Sequence, residues 1–583
     1  MKRCPQCNRA ETDDALVFCR VDGAALVNDS SSLNSEAGTV QLGSGPTPNE
    51  LATGILSHTT AQSVNRSTGP TTALRPQQVG TTNSLSIRKR RRRVIAVVVL
   101  ATAVIAATTT VFVNSYFRTK SNKSIESIAV MPFVNTSGNA EVDYLSDGMT
   151  ETLISSLSQL PNLNVKPSSS VFRYKGKETN PQTIAKELNV QAILNGRVVQ
   201  HGQDISLFIE LIDSSLDKVV WSETYNRKQT DLLTLQTEIA RDVSSKIKTK
   251  LSGEDLAKVT KSYTTNEEAY QLYLKGNFYT SKFTKEGFDK GSEYLEQAIK
   301  LDPDYALAYN GLAYNQLTAM DWFTNPKIAG AKARDTVNKA AALDSSLPQT
   351  QLLLGLVAYW VEWDWSAAEK AFRRAIELNP SDPRPYGVCA WLLSNTGRND
   401  EAIELAKRSY QLDPISPETN WYLGIVLLAA GKTDEAISRF QASIDLEPTY
   451  FYAHNFLGRA YLQAGKIPQA VAAFERARDL ERENPENWAN LAYAYGVSGK
   501  RDEAEKIIAY LKDLSRTNYV APYYLAIAYA GLGDNEQTFK CIEQAYEDRS
   551  DSLILYLTAD PQMQKIRSDP RYKEMLKRLN LPE

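Results

Sequence analysis

The chain has 583 residues, with 66 Lys and Arg against 68 Asp and Glu, for a formal net charge of −2. That length asks for several domains, and so even a charge balance excludes a chain built as a whole for nucleic acid. Three histidines and five cysteines leave little for metal or nucleophile chemistry, except that Cys4, Cys7 and Cys19 cluster at the start.

Cys4-Pro-Gln-Cys7 has the spacing that lets two thiolates converge on one metal ion. Cys19-Arg-Val-Asp22 repeats it, with a carboxylate where a fourth thiolate would stand. Asp ligates zinc, though less well than Cys in a closed site. The expected site is structural zinc on Cys4, Cys7 and Cys19, with Asp22 as the fourth ligand. Residues 1–27 are too few to bury a core, so metal binding must supply the folding energy. The alternative is a disordered tail with free thiols. Cys4, Cys7, Phe18, Cys19, Asp22, Gly23 and Leu26 resemble the CPxC…FCxxDGxxL zinc-ribbon heads of bacterial membrane proteins.

Residues 28–87 are rich in Ser, Thr, Asn, Gly, Pro and Gln and hold no aromatic side chain. Such a stretch cannot repay its conformational entropy by burial and is expected as a disordered linker. Region 88–119 then joins six consecutive cations, Arg88 to Arg93, to the uncharged run Val94–Val113. Twenty helical residues span roughly 30 Å, about one hydrocarbon core, so a single transmembrane helix is expected. The cations should meet anionic lipid headgroups. The positive-inside rule puts residues 1–93 in the cytoplasm and the rest beyond an inner (cytoplasmic) membrane, on the periplasmic or extracytoplasmic side.

Residues 120–252 read as an α/β domain. Ser127–Asn135 is expected as an edge or first strand, because Pro132 lies near its end. Leu145, Met149, Leu153, Leu157 and Leu160 recur at helical spacing, and 163–165 is a second short strand. A helix begins at Pro181, three antiparallel strands occupy 191–200, 205–213 and 218–227, and a final helix starts at Asp231. IAVMPFVNTSG, YLSDGMTETLISSLSQL, ILNGRVV and LQTEIARDV resemble the TolB-type amino-terminal domain. That resemblance implies an extracytoplasmic binding domain without catalytic residues. Asn195-Gly196-Arg197 departs from the glutamate more common before that glycine, so a shared ligand does not follow.

From 267 to 550 the chain repeats itself with a period of 34: Gly397, Gly431, Gly465, Gly499 and Gly533 form one ladder. Ala402, Ala436, Ala470 and Ala504 form another, and Pro380, Pro414 and Pro448 a third. Together with Phe372, Phe440 and Phe474 this is the tetratricopeptide (TPR) signature, an all-α solenoid of about eight helix pairs with an insertion near Trp322. Residues 551–583 are expected as capping helices. The register puts Arg384, Trp391, Asn395, Trp421, Asn455, Arg459, Gln463, Tyr493 and Tyr523 on the concave groove, where protein or peptide partners would bind.

Other motifs fall away on inspection. Asp147-Gly148 is a first-turn acid favoured by the helix dipole rather than a catalytic group. Gly431-Lys432-Thr433 mimics a phosphate loop, but Val426 stands where that loop needs glycine. His454 sits at a core-packing repeat position, and Cys389 and Cys541 are too far apart to pair. The fold class is thus multidomain: zinc ribbon, transmembrane helix, α/β domain and TPR solenoid. The function expected is a non-enzymatic, membrane-anchored scaffold or sensor for protein or envelope partners, with no nucleic-acid partner. The alternatives are a membrane-tethered DNA-binding regulator acting through the zinc head and basic run, and an envelope-assembly factor without signalling.

Overall fold

The computed structural model describes residues 2–3, 10–11, 27–28, 125–139, 142–177, 179–247 and 251–582. It divides into two compact units, Met1–Ala103 and Val104–Glu583. In the first, β1 (Lys2–Arg3), β2 (Ala10–Glu11) and β3 (Val27–Asn28) form an antiparallel sheet of order β2-β1-β3. Cys4, Cys7, Cys19, Asp22, the linker, the basic run and Val94–Val113 all lie outside the described residues. Among the described residues no helix is long and apolar enough to cross a membrane. No group of three or more His, Cys, Asp or Glu among them could hold a metal ion.

The second unit opens with β4 (Ser127–Val130), β5 (Val134–Asn135), β6 (Asn164–Val165), β7 (Ala192–His201), β8 (Asp204–Asp213) and β9 (Lys218–Lys228). Their order is β6-β4-β7-β8-β9, with β5 also pairing β7. Of the two expectations for β4, it is the first strand of the sheet in chain order and not an edge: its partners β6 and β7 both run parallel to it. Pro132 does no harm there because it falls in the gap between β4 and β5. β7, β8 and β9 form the expected antiparallel set. Along β8 the side chains alternate as the pleat requires, Ile205, Leu207, Ile209 and Leu211 being buried while Ser206, Phe208 and Glu210 are only half-buried. The buried face is covered by helices Asp143–Leu157 and Leu232–Ile247.

Sixteen array helices follow as eight pairs, from Glu267–Thr280 with Lys285–Leu301 to Pro522–Leu532 with Asn535–Glu547. The glycine ladder ends the first helix of each of the last five pairs: Gly397, Gly431, Gly465, Gly499 and Gly533 all have φ between +72° and +83°, which glycine adopts without strain. Inside each pair the helices touch through a small residue. Gly355, Gly424 and Gly458 lie where a Cβ would come within 2.4–2.6 Å of Phe372, Phe440 and Phe474. Those three rings and the alanines of the second ladder are all 0 % exposed. The expected insertion is a turn at 319–325 with Asp321 at φ +59°.

The α/β domain and the array share one core. Leu274 of the first array helix lies so close to Gly148 that a Cβ there would be 2.7 Å from its Cδ2. The backbone of Leu233 donates to Glu267 Oε2 at 2.8 Å, and Gln271 Nε2 donates to the Gln229 carbonyl at 2.8 Å. The C-terminal segment comprises helix Asp551–Tyr556, the turn Pro561–Ile566 and helix Pro570–Arg578. It caps the last pair, as Arg578 on Glu543 at 2.7 Å illustrates. It also does what a cap need not do: it runs back along the concave face to the earlier pairs.

Candidate functional site

The concave face is built from the first helix of each pair. Most of these helices start at Pro in the first turn, where its missing N–H costs nothing. Asp382 and Asn484 accept from the second backbone N–H, of Arg384 at 3.0 Å and of Glu486 at 2.9 Å. The nine groove residues expected from the register all lie on such helices. Seven of them are buried: Trp391, Asn395, Trp421, Asn455, Arg459, Tyr493 and Tyr523. Gln463 is half-buried on the Leu428 carbonyl and Thr433, and Arg384 is largely exposed, held by Asp382 at 3.0 Å. Those seven side chains are packed within the chain itself.

The C-terminal segment packs on Trp391, Asn395, Arg459 and Tyr523, while Trp421 and Asn455 are enclosed by the array's own helices. Asn395 Nδ2 donates to the carbonyls of Ile554 and Leu555, each at 3.1 Å, groups left over at the end of a short helix. Tyr556 lies among Trp391, Phe456 and Tyr523, with ring centroids 6.1, 6.1 and 6.4 Å away. Arg459, 1 % exposed, stacks over Tyr556 at 4.1 Å and pairs with Glu486 at 2.7 Å and with Asp560 at 3.5 Å. Burial pushes both carboxyls up, and Arg459 opposes that by keeping a cation beside them. A void of about 20 Å³, room for one water, lies against Arg459 and Asp560. Arg459 Nε and Asp560 Oδ2 have no protein hydrogen-bond partner there.

The entry of the segment is fixed by a second buried group. Asp321, in the turn of the second pair, accepts from Ser550 Oγ at 2.6 Å and from the Ser552 backbone at 2.8 Å. Asp551 lies against it. Burial drives the Asp551 carboxyl well above the usual range, and the neighbouring Asp321 adds to that. Trp322, from the same turn, meets Phe451 and Tyr452 of the sixth pair at 5.7 and 5.8 Å between centroids.

Elsewhere the face is open. Glu151 from the α/β domain, Tyr314 at 39 % exposure and Arg384 reach solvent there. Surrounding protein pushes Glu151 up to about 7, Asp147 adding to it and Arg384 opposing. Glu418 is pushed to about 7 by the same desolvation, again opposed by Arg384. These carboxyls escaped the sequence reading because they come from a different domain and a different pair. A third contact ties the α/β domain to the middle of the array, Arg173 donating to the Ile415 carbonyl at 3.2 Å and Ser169 to Asp413 at 3.2 Å.

The motifs set aside from the sequence have structural work. Asp147 takes both bonds of Lys175 Nζ at 2.7 Å, and His454 is buried with Nε2 3.0 Å from the Pro448 carbonyl. Burial pushes the Cys389 thiol up to about 12 and that of Cys541 to about 11, so neither is a thiolate at neutral pH.

Comparison with known proteins agrees with this geometry at the level of modules. Two tetratricopeptide repeat models match residues 351–418 and 427–491. The model for the second domain of HilA/YgeH-like transcriptional regulators matches 123–242, the region whose motifs resemble the TolB type. A putative adenylate cyclase 3 of Rhizobium meliloti (strain 1021) is 29 % identical over 237 residues, and the match spans 40 % of each chain. Among solved structures, YrrB, a TPR protein with an unusual peptide-binding site, is 21 % identical over 33 % of this chain and 94 % of its own, with a TM-score of 0.23. PilW, a type IV pilus biogenesis factor, is 16 % identical over 38 % of this chain and 96 % of its own, with a TM-score of 0.30. The chain therefore carries tetratricopeptide repeats behind an α/β domain similar to one found in transcriptional regulators.

Proposed function

We propose that this chain is a non-enzymatic, membrane-anchored scaffold or sensor that holds protein or peptide partners on the concave face of its array. The observation that carries the reading is the grip on the C-terminal segment. Asn395, Arg459 and the rings around Tyr556 already hold polypeptide by main-chain carbonyls, charge and aromatic contact. Such anchors suit protein recognition. Val94–Val113 would be the anchor, the cations 88–93 would lie on anionic headgroups, and the α/β domain and array would be periplasmic or extracytoplasmic. Cys4, Cys7, Cys19 and Asp22 would hold structural zinc in the cytoplasmic head; β1 ends one residue before Cys4 and β2 begins three after Cys7, as a knuckle between strands requires.

The test is site-specific photocrosslinking in membranes, with the photoreactive residue at Tyr314 on the open part of the face. Discrete protein adducts are expected, and an absence of adducts there and at Gln463 would remove the reading. Protease accessibility that put Trp421 in the cytoplasm would remove the topology. For the head, one zinc per chain is expected, lost in Cys7→Ser.

One observation favours a second reading, a DNA-binding regulator: the match of residues 123–242 to a domain of transcriptional regulators. DNA binding by the intact chain with a salt slope of several ions would support it, and no binding at low salt would end it.

A further inference from the structure

Strand β9 ends the sheet of the α/β domain on one side, and among the described residues β8 is its one strand partner. Its other edge offers a row of main-chain N–H and C=O groups to whatever can pair with them. The edge is eleven residues long, Lys218–Lys228, and only Tyr225 of these is buried. Leu211 opposes Trp221 and Ile212 opposes Val219, so Val220 is the extra residue of a bulge near the start of the strand. Residues 222–228 pair evenly with β8 and present a regular edge. Charges on an edge strand commonly keep other strands away. Those of β9 are arranged differently.

Trp221, Glu223, Tyr225 and Arg227 oppose the buried Leu211, Ile209, Leu207 and Ile205, and so lie on the helix-covered face. Helix Leu232–Ile247 reaches them from the flank: Tyr225 Oη donates to Asp242 at 2.7 Å, and Arg227 pairs with Glu238 at 2.7 Å. It leaves the rim clear, since Glu223 is exposed and the Arg227 side chain is 36 % exposed. Arg227 spends Nη2 on Glu238 and Nη1 on the Asn226 carbonyl. A guanidinium has five N–H donors, so bonding capacity is left over on the open side.

Antiparallel pairing of a strand with its own copy about a two-fold axis puts one residue opposite itself and fixes every other pair. With the axis at Tyr225, Glu223 of each copy stands directly opposite Arg227 of the other, on the same face, and Thr224 stands opposite Asn226 on the other face. No other axis position sets Glu223 opposite Arg227. An axis at Glu223 or at Arg227 would instead face like charges, which is unfavourable. The edge is thus complementary in charge to itself in one register.

We propose that β9 pairs antiparallel with β9 of a second copy of this chain, in the register centred on Tyr225. The contact is isologous and closes at two copies. Main-chain hydrogen bonds supply the attraction and the two Glu223–Arg227 pairs choose the register. It joins two sheets into one and brings two TPR arrays into a single assembly.

The test is sedimentation of the intact, detergent-solubilised chain over a range of concentrations. Wild type is expected to dimerise. Glu223→Lys alone, or Arg227→Glu alone, puts two like-charge pairs across the axis and should raise the dimer's dissociation constant at least about tenfold. An equimolar mixture of the two variants restores both opposite-charge pairs and should dimerise as wild type does, which also shows that each variant is folded. In membranes under mild oxidation, Thr224→Cys mixed with Asn226→Cys should give a disulfide-linked dimer that neither variant gives alone. A monomeric wild type, single variants that dimerise unchanged, or a mixture that fails to recover would each overturn the proposal. So would cysteine adducts with another protein and none between copies.

Discussion

The array makes two large internal contacts, one with the α/β domain and one with the C-terminal segment; both bury apolar side chains, and they differ in the charge they enclose. The first is an apolar close approach: Leu274 seats against Gly148, and Tyr270, Tyr273 and Leu295 continue the core of the sheet domain. The second buries charge: Arg459 with Glu486 and Asp560, and Asp551 against Asp321. Apolar contacts of this kind are permissive in register and cheap to keep. Buried ion pairs return little net stability but penalise every arrangement that leaves one partner alone. The α/β domain is thus joined for good, whereas the segment is held in one register and is sensitive to anything that alters a charge.

That contrast can be broken at several points. Arg459→Ala should have the largest effect, about 3–5 kcal/mol, because it strands two buried carboxyls. It would be read as early proteolysis of the C-terminal segment, followed by a lowered urea midpoint. Gly148→Ala tests the other contact. Its Cβ must push Leu274 aside, which should cost about 1–3 kcal/mol and leave the segment as protected as before. If both variants release the segment equally, the two contacts are not distinct. Asp147→Asn should be the mildest, under about 1 kcal/mol, because its pair with Lys175 is partly solvated. A large loss of function in that variant would instead revive a chemical role for Asp147.

Much of this contrast was hidden from the sequence for a physical reason. The 34-residue ladder is local: each glycine, alanine and phenylalanine answers to residues within its own pair, so the spacing alone reveals eight pairs. The strands at 192–228 were legible for the same reason, since alternation and turns are short-range. The local pattern left β4 open as an edge or first strand, because its neighbours come from residues 164–165 and 192–194, whose pairing no local pattern records. The groove residues were expected from the repeat register alone, whereas what packs on Asn395 lies 160 residues away at Leu555. A signal was present: the apolar stretch Leu553 to Leu557 is more than a solvent-facing cap needs. Gly148 carried a sign too, since a glycine inside a helix asks what comes close to it.

The central claim is that the C-terminal segment occupies the groove, with Asp551 buried beside Asp321 at its entry. Asp551 in the folded chain binds its proton more tightly than an unfolded aspartate does. The contribution of the pair is therefore complete below about pH 4, the ordinary carboxylate value, and is lost as pH rises through the raised value. The direct measurement is hydrogen exchange of the amides from Ser552 to Leu557, corrected for intrinsic rates, from acid to alkaline pH. Protection should be high at the acid end and decline with pH in the wild-type chain. In Asp551→Asn, which keeps the size of the side chain and removes the charge, it should stay high throughout. Amides that exchange freely at every pH, or a decline that Asp551→Asn leaves unchanged, would contradict the account.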